Sequence, residues 1–409
     1  MALVVQKFGG SSVANAGRLQ RVAQRVCKTA AHGHRVAVVL SAMGDTTDDL
    51  ISLAHQLTGH NYQREMDMLL ATGEQQSIAL LAMALLEMGI PAISLTGQMA
   101  GFRTDSNFGN GRILRMECGR VIQELAMGKV VVVAGFQGAD SGQNIITLGR
   151  GGSDTSAVAL AVALNADFCE IYTDVEGVYT ADPRIVKRAW KMPAISYDAM
   201  LEMAAMGALV LQPRSVELAK QYGIKLHVRS SFTDSEGTIV QKEAFMDKNL
   251  EKELIVCGVA HDLNVLKVTL YAIPDTPGIA AHIFGALAKE GVNVDMIIQS
   301  GNRQDKQDLS FTCGRDERDK VEHVLKGLVK DLGAMCHGLA DNKAKISIVG
   351  AGMITHPGVA ARMFKTLAEI DCNIDMISTS EIKISCVIDE MKVKQAVLSL
   401  HSAFELDGD

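Results

Sequence analysis

A chain of 409 residues is long enough for two or three domains, and 48% hydrophobic against 21% charged residues describes packed domains rather than a solvated tail or a coiled coil. The formal net charge of −7 and the absence of a Lys/Arg run argue against nucleic acid as a partner. Eight cysteines without a CxxC pair read as buried thiols, and residues 155–166, the longest uncharged helical stretch, fall short of the ~20 apolar residues of a membrane span. With no charged-then-apolar leader pattern after Met1, the expectation is a cytoplasmic protein with no membrane partner.

In chain order, the first ~230 residues alternate β-rich runs with amphipathic helical patterns, the arrangement of a parallel sheet covered by helices. Strands are predicted at 3–7, 36–40, 92–95, 130–134, 170–173 and 227–230, and helices at 18–31, 75–87 and 113–127. The first glycine-rich loop, Lys7-Phe8-Gly9-Gly10-Ser11-Ser12, joins strand to helix, so its amides can line a phosphate while Lys7 supplies charge. A tight turn needing only small residues would read the same way. The second, Leu148-Gly149-Arg150-Gly151-Gly152-Ser153-Asp154-Thr155, opens a helix with Ser153 or Asp154 as the expected cap, and its Arg, Ser and Asp suit an anionic substrate. The third runs from Thr173-Asp174 through Tyr179 to Asp182-Pro183-Arg184 at the end of a central strand, where open α/β sheets place ligands. Neither a Walker A sequence nor a GxGxxG fingerprint is present.

Composition turns polar after residue 232, and residues 241–253 read as a linker. Beyond it the chain repeats at an offset of 80: Pro277-Gly278-Ile279-Ala280-Ala281 returns as Pro357-Gly358-Val359-Ala360-Ala361, and Asn293-Val294-Asp295-Met296-Ile297 as Asn373-Ile374-Asp375-Met376-Ile377. Each copy reads as the ferredoxin-like split βαβ pattern, with a Pro-Gly helix start whose free amides can take a carboxylate.

The three loops, together with Ser41-Ala42-Met43-Gly44-Asp45-Thr46-Thr47 after the second strand and Thr72-Gly73-Glu74 at an expected helix start, resemble the aspartokinase family in order and spacing. The resemblance spans essentially the whole chain. It implies an amino-acid-kinase αβα sandwich with a mainly parallel central sheet (1–240), a linker (241–253), and two ferredoxin-like (βαββαβ) ACT domains, the first at 264–340 and the second at 341–409 joined by the strand at 254–263. It also implies transfer of phosphate from ATP with Mg2+ to L-aspartate, at the entry to lysine, threonine, methionine and diaminopimelate synthesis. Carried over by position, Lys7 and Asp154 are catalytic, and Lys7, Phe8, Gly9, Gly10, Thr173, Asp174, Tyr179, Asp182 and Arg184 hold the nucleotide. Ser41, Thr47, Glu74, Arg150, Gly151, Gly152 and Ser153 hold aspartate, with Arg150 on the α-carboxylate and Glu74 on the ammonium. The metal ligand is not legible.

In the same way Asp275, Gly278, Ala280, Asn293, Val294, Asp295 and Gln299 of the first copy, and Asn373, Ile374, Thr379, Ser380 and Glu381 of the second, bind lysine and/or threonine as effectors. A homo-oligomer through the ACT domains is implied, and an internal start at Met246 would give a shorter regulatory subunit. The sequence departs from many members at Leu209 and Gln212, where Lys and His are common, which puts the shape of the nucleotide pocket in question. Kinases of the same fold acting on glutamate, N-acetylglutamate, carbamate or UMP are the nearest alternatives. A sensor without turnover or a nicotinamide dehydrogenase with ACT domains is a more distant one.

Overall fold

The structure, a computed structural model, describes the chain apart from residues 61, 206–209, 243–254, 301–305, 333–335, 351–352, 354–355 and 408–409. Most of the expected linker, Leu209 and Met246 lie outside the described residues. Two compact units divide the chain: one gathers Met1–Tyr179, Lys191–Ala205 and Leu209–Leu250, the other Thr180–Trp190 and Glu251–Asp409.

The first unit is built on an eight-stranded sheet in the spatial order Ala194–Ser196, Thr238–Gln241, Leu226–Ser230, Phe168–Thr173, Leu3–Phe8, Arg35–Leu40, Val130–Ala134, Ala92–Leu95. Every neighbouring pair is parallel except Leu226–Ser230 with Thr238–Gln241. The central strands read LVVQKF, RVAVVL and VVVVA, near-continuous apolar runs of the kind a sheet covered on both faces requires. On one face Phe8, Val36, Val38, Val130 and Val132 pack against Leu19, Val22 and Val26 of the helix Ala16–Ala31 and Ile78, Leu81 and Leu85 of the helix Gln63–Glu87. The helix Gly152–Ala163 packs on the strands Leu3–Phe8, Arg35–Leu40 and Phe168–Thr173. A small four-stranded sheet adds Phe102–Thr104, Ile113–Met116, Gln137–Ala139 and Ile145–Thr147.

Two expected helices change. The run at 113–127 begins as the strand Ile113–Met116, paired antiparallel with Phe102–Thr104, and turns helical only at Gly119–Ala126. A run as short as Ile-Leu-Arg-Met fits either period, and the available partner strand decides. The helix expected from residue 75 already starts at Gln63, so Thr72-Gly73-Glu74 lies mid-helix rather than at a start. Gly73 serves close approach there, since a Cβ on it would come within 2.8 Å of Ala42 Cβ. This 25-residue helix is long and apolar enough to cross a bilayer, yet half of its most apolar window is buried and its inner face carries Asp67 and Glu74, as in a core helix.

The second unit holds one six-stranded, wholly antiparallel sheet in the order Val294–Gln299, Lys306–Cys313, Gly258–Pro274, Cys336–Val349, Lys383–Asp389, Met376–Thr379. The two long strands each serve both copies of the repeat. Residues 258–262 pair with 345–349 beside Lys383–Asp389, while 266–274 pair with Lys306–Cys313. The helices Ile279–Lys289 and Val359–Glu369 keep the 80-residue offset, and each is preceded by a glycine at positive φ, +97° at Gly278 and +101° at Gly358. Leu266, Val268, Ile283, Leu287, Phe311 and Leu325 form the first copy's core; Ile346, Ile348, Met363, Leu367, Val397 and Leu400 form the second's.

The excursion Thr180–Trp190 contributes to this second core. Ala181 and Val186 are buried with Val256, Val259 and Leu406, and the Thr180 carbonyl accepts from the Val259 amide at 2.8 Å. The Thr180 hydroxyl lies 2.9 Å from Nε2 of the fully buried His401, whose Nδ1 is 3.2 Å from Asp407.

Candidate active site

At the ends of Leu3–Phe8 and Phe168–Thr173 the loops form a polar cleft of about 360 Å³, and a separate cavity of about 610 Å³ lies along the opposite face of these strands. Lys7, Gly10, Ser41, Thr47, Glu74, Arg150, Gly151, Gly152, Ser153, Asp154 and Thr173 all line the cleft, so eleven of the residues expected from sequence converge on one site.

Lys7 points inward because residues 3, 5 and 7 of its strand share the face covered by the helix Gly152–Ala163. Its ammonium lies 2.6 Å from Asp154 Oδ1, with both side chains about 90% buried. The approach is ionic rather than an aligned hydrogen bond, which leaves Oδ1 without a directed donor. Asp154 and Ser153 do not cap the helix as expected: the N-cap is Gly151, in the left-handed region at φ +74° and with no side-chain bond. Any Cβ at Gly151 would meet Gln212 Cγ at 2.0 Å, so this position needs glycine both for its backbone and for the neighbour packed against it. The helix thus presents its amide-rich, positive end to the cleft without a competing side-chain oxygen.

Glu74 is 3% exposed. One of its oxygens accepts from the Ala42 amide at 3.1 Å, and the other has no partner among the described residues. Burial pushes its carboxyl up to about 8, against the lowering effect of its backbone hydrogen bonds. Arg150 is exposed at the rim and makes no ion pair among the described residues. A buried carboxylate lacking a cation and a guanidinium lacking an anion therefore face one cleft, which suits a small zwitterion.

Both anchors are braced. Asp67, one helical stretch before Glu74 and 1% exposed, accepts from Gly109 N, Thr147 N and Thr147 Oγ1 at 2.7 to 3.1 Å, tying the Glu74 helix to the strand Ile145–Thr147 that feeds the Arg150 loop. Arg214 donates to the carbonyls of Leu148 and Gly111 at 3.1 and 2.9 Å.

The other expected residues lie elsewhere. The Phe8 side chain belongs to the sheet core, stacked on Tyr172 with centroids 4.5 Å apart, so only its main chain is available to a ligand. Gly9 donates to the Tyr172 carbonyl at 3.4 Å. Asp174 accepts from the Thr173 hydroxyl at 3.0 Å and is exposed. Tyr179 is in the first unit, its hydroxyl raised by burial and by Glu176. Asp182 and Arg184 group with the second unit and engage each other at 2.8 to 3.1 Å. Phe136, Ile171, Val210 and Gln212 line the cleft without having been selected as site residues. Phe136 carries a signal only in three dimensions, a φ of +65° beside the Gly135 contact with Ser153.

In the second unit, Asp275, Gly278 and Ala280 are exposed at the start of Ile279–Lys289. Asn293, Val294, Asp295 and Gln299 follow on or beside the edge strand Val294–Gln299, with Asp295 paired to Lys345 and Gln299 to Gln307. Asn373, Ile374, Thr379, Ser380 and Glu381 take the matching places around Met376–Thr379, the other edge.

Residues 2–230 match the amino acid kinase family, and residues 272–326 and 346–404 match the ACT domain. An aspartokinase from Bacillus sp. (strain MGA3) is 51% identical over 408 residues, 100% of this chain and 98% of the relative. One from Mycolicibacterium smegmatis is 50% identical over 100% of this chain and 97% of its own. Among solved structures, E. coli aspartokinase III in complex with aspartate and ADP (R-state) superposes with a TM-score of 0.82 at 26% identity, covering 98% of this chain and 99% of that one.

Proposed function

Because this chain belongs to the aspartokinase family, with an amino acid kinase domain followed by ACT domains, we propose that the cleft around Lys7, Glu74 and Arg150 transfers the γ-phosphoryl group of ATP to the side-chain carboxylate of L-aspartate, giving ADP and 4-phospho-L-aspartate. The observation that carries the substrate assignment is Glu74, buried with one oxygen unpartnered and its carboxyl pushed up to about 8. A free α-ammonium is the group that would satisfy it. N-acetylglutamate, carbamate and UMP have no such ammonium.

Arg150 takes the α-carboxylate as a fork, and Ser41, Thr47 and Ser153 orient the substrate through their hydroxyls. The attacking oxygen needs no general base, since a side-chain carboxylate with an ordinary pKa of ~3.9 is already ionised at neutral pH. It bonds to the γ-phosphorus as the bond from that phosphorus to the β–γ bridging oxygen breaks, and ADP leaves with the electron pair. Lys7, the free amides after Gly9 and the start of the helix Gly152–Ala163 neutralise charge on the transferring oxygens. Thr173, Asp174 and Tyr179 are the first-unit residues assigned to the nucleotide.

The donor set fits a Mg2+ held chiefly by phosphate oxygens: no group of three His, Cys, Asp or Glu suited to a metal occurs among the described residues, while Asp154 offers an oxygen without a directed donor in the cleft. When bound, the ion would screen the β- and γ-phosphate charge. Asp154 is the side chain assigned to it, with the Lys7 ammonium 2.6 Å away.

Feedback regulation follows the same reading, with lysine and/or threonine at the edge strands of the two ACT copies and homo-oligomers formed through those copies. The pathway is the cytoplasmic synthesis of lysine, threonine, methionine and diaminopimelate. A coupled ADP-release assay with aspartate, glutamate and N-acetylglutamate, repeated with lysine and threonine alone and together, tests it. Turnover with aspartate alone is expected; preference for another acceptor would overturn the assignment.

A further inference from the structure

The larger cavity of the kinase unit, about 610 Å³, has no part in the reaction. In the strands Leu3–Phe8 and Phe168–Thr173 alternate residues face opposite sides of the sheet. Lys7, Ile171 and Thr173 go to the active-site cleft, while Val4, Phe168, Glu170 and Tyr172 line this second cavity.

Its opposite wall is the helix Ala16–Ala31, AGRLQRVAQRVCKTAA, which carries four cations and no acid in a chain of net charge −7. Arg21, Arg25 and Lys28 recur at the four- and three-residue spacing that puts them on one stripe, and all three line the cavity with His32 beyond the helix end. Like charges at this spacing oppose helix formation. A counter-anion removes that cost.

The protein's own acids cover only part of this charge. Glu170 is committed to Gln6 at 2.8 Å, the Tyr172 hydroxyl at 3.0 Å and Arg229 at 3.2 Å. Arg25 reaches Asp234 at 3.2 Å and lies 5.0 Å from the Tyr172 ring, with the Arg229 guanidinium 5.8 Å from the same ring. Arg21 and Lys28 have no ion-pair partner among the described residues, and Nε of Arg229 is buried without an acceptor. The Ala2 amide donates to His34 Nδ1 at 3.1 Å, so the neutral ring carries its proton on Nε2 and adds a donor to the cavity. Phe168 and Phe232, each about 40% exposed, complete the walls with apolar surface.

We propose that this cavity is a second, non-catalytic binding site for a small polyphosphate, free or as the tail of a nucleotide, held by Arg21, Lys28 and Arg25 across from Phe168 and Phe232. A size of about 610 Å³ lies within the ~300–1,000 Å³ typical of small-molecule sites. Phosphate oxygens pair with guanidinium forks and the Lys28 ammonium, and a nucleotide's ring would lie on the phenyl faces.

The test is calorimetric titration of the full chain with inorganic tripolyphosphate, and separately with ATP, at low ionic strength. Arg21 and Lys28 are exposed on the helix and remote from the catalytic set, so Arg21→Glu/Lys28→Glu leaves the melting temperature and the basal aspartate-dependent turnover unchanged. This double variant is expected to weaken the tripolyphosphate isotherm at least about tenfold, and to remove one of two ATP-binding events while keeping the one that Lys7→Ala removes. Tripolyphosphate isotherms that superimpose for wild type and the double variant, or a single ATP event abolished by Lys7→Ala, would overturn the site. Failure of the kinase assignment is a separate result, read from turnover and not from these isotherms.

Discussion

Replacing Glu74 by Gln separates what the buried carboxylate does for substrate from what it costs the fold. Its folded pKa of about 8 stands above an unfolded value of ~4.3. The native state therefore holds a proton that the unfolded chain releases. The stabilisation is fully present below about pH 4.3 and is lost as pH rises through about 8, at up to ~1.4 kcal/mol per pH unit in between. At pH 7 roughly nine-tenths of the ligand-free protein carries this proton. An arriving ammonium favours the ionised form, so aspartate binding should expel close to one proton per site. Apparent affinity should rise about tenfold per pH unit towards pH 8.

Glu74→Gln cannot ionise. It should release no proton and raise the aspartate KM about ten- to hundredfold, the cost of a lost charge-assisted contact of ~1.5–3 kcal/mol. It should also flatten the decline in melting temperature between pH 6 and 8, leaving the variant the more stable protein at pH 8. Calorimetry of aspartate binding in two buffers of different ionisation enthalpy counts the protons, and thermal melts across the same pH range read the stability. No proton release by wild type at pH 7, or a variant KM within about twofold of wild type, would refute the reasoning.

Arg150→Ala should raise the aspartate KM about ten- to hundredfold with little change in melting temperature, because the guanidinium is exposed and unpaired among the described residues; steady-state kinetics and melting decide it. Asp67→Ala leaves the buried Thr147 amide and hydroxyl without an acceptor and should cost about 2–3 kcal/mol in denaturant unfolding, with activity falling in the folded fraction as the Arg150 loop loosens. Asp275→Ala and Gln299→Ala should relieve inhibition by lysine, threonine or both while sparing uninhibited turnover. Inhibition curves identical to wild type would remove those residues from the effector site.

For Asp375, burial acts to raise the pKa, but hydrogen bonds from Lys343 and Lys267, both at 3.1 Å, prevail and hold it low. Its stabilisation is present above the unfolded value of ~3.9 and is lost as pH falls through the lower folded value. Asp375→Asn should therefore lower stability at pH 7 by about 1–3 kcal/mol, with the deficit closing on acidification below about pH 4.

The central strands were readable because residues such as Val36, Val38, Val131 and Val133 are apolar without interruption, and few environments other than a doubly covered sheet accept such runs. The paired helix starts at Gly278 and Gly358 were readable from the repeat itself. The start of Gln63–Glu87 was not, because Gly73 looks like a terminator until Ala42 is seen against it. In the site, Lys7, Glu74, Arg150 and Asp154 stood out through loop composition and family likeness. Phe136, Ile171 and Val210 did not, since an apolar side chain in a strand or a connecting loop has the same sequence signature whether it faces core or ligand. The basic cavity left a trace in the acid-free helix Ala16–Ala31, but its other wall comes from residues 168–172 and 229–234, which only the parallel pairing of strands brings alongside.

The excursion Thr180–Trp190 bears on how the protein can be taken apart. Its residues are encoded within the kinase half of the gene, yet Ala181 and Val186 are buried in the second unit and Thr180 meets His401 there. A cut near residue 250 would strip that core of two apolar side chains and leave His401 buried without its hydroxyl partner. The severed kinase half would carry the same apolar segment into water. Chimeras that exchange regulatory halves between relatives must therefore transplant two pieces of sequence, the C-terminal stretch and these eleven residues, or inherit a mismatched core.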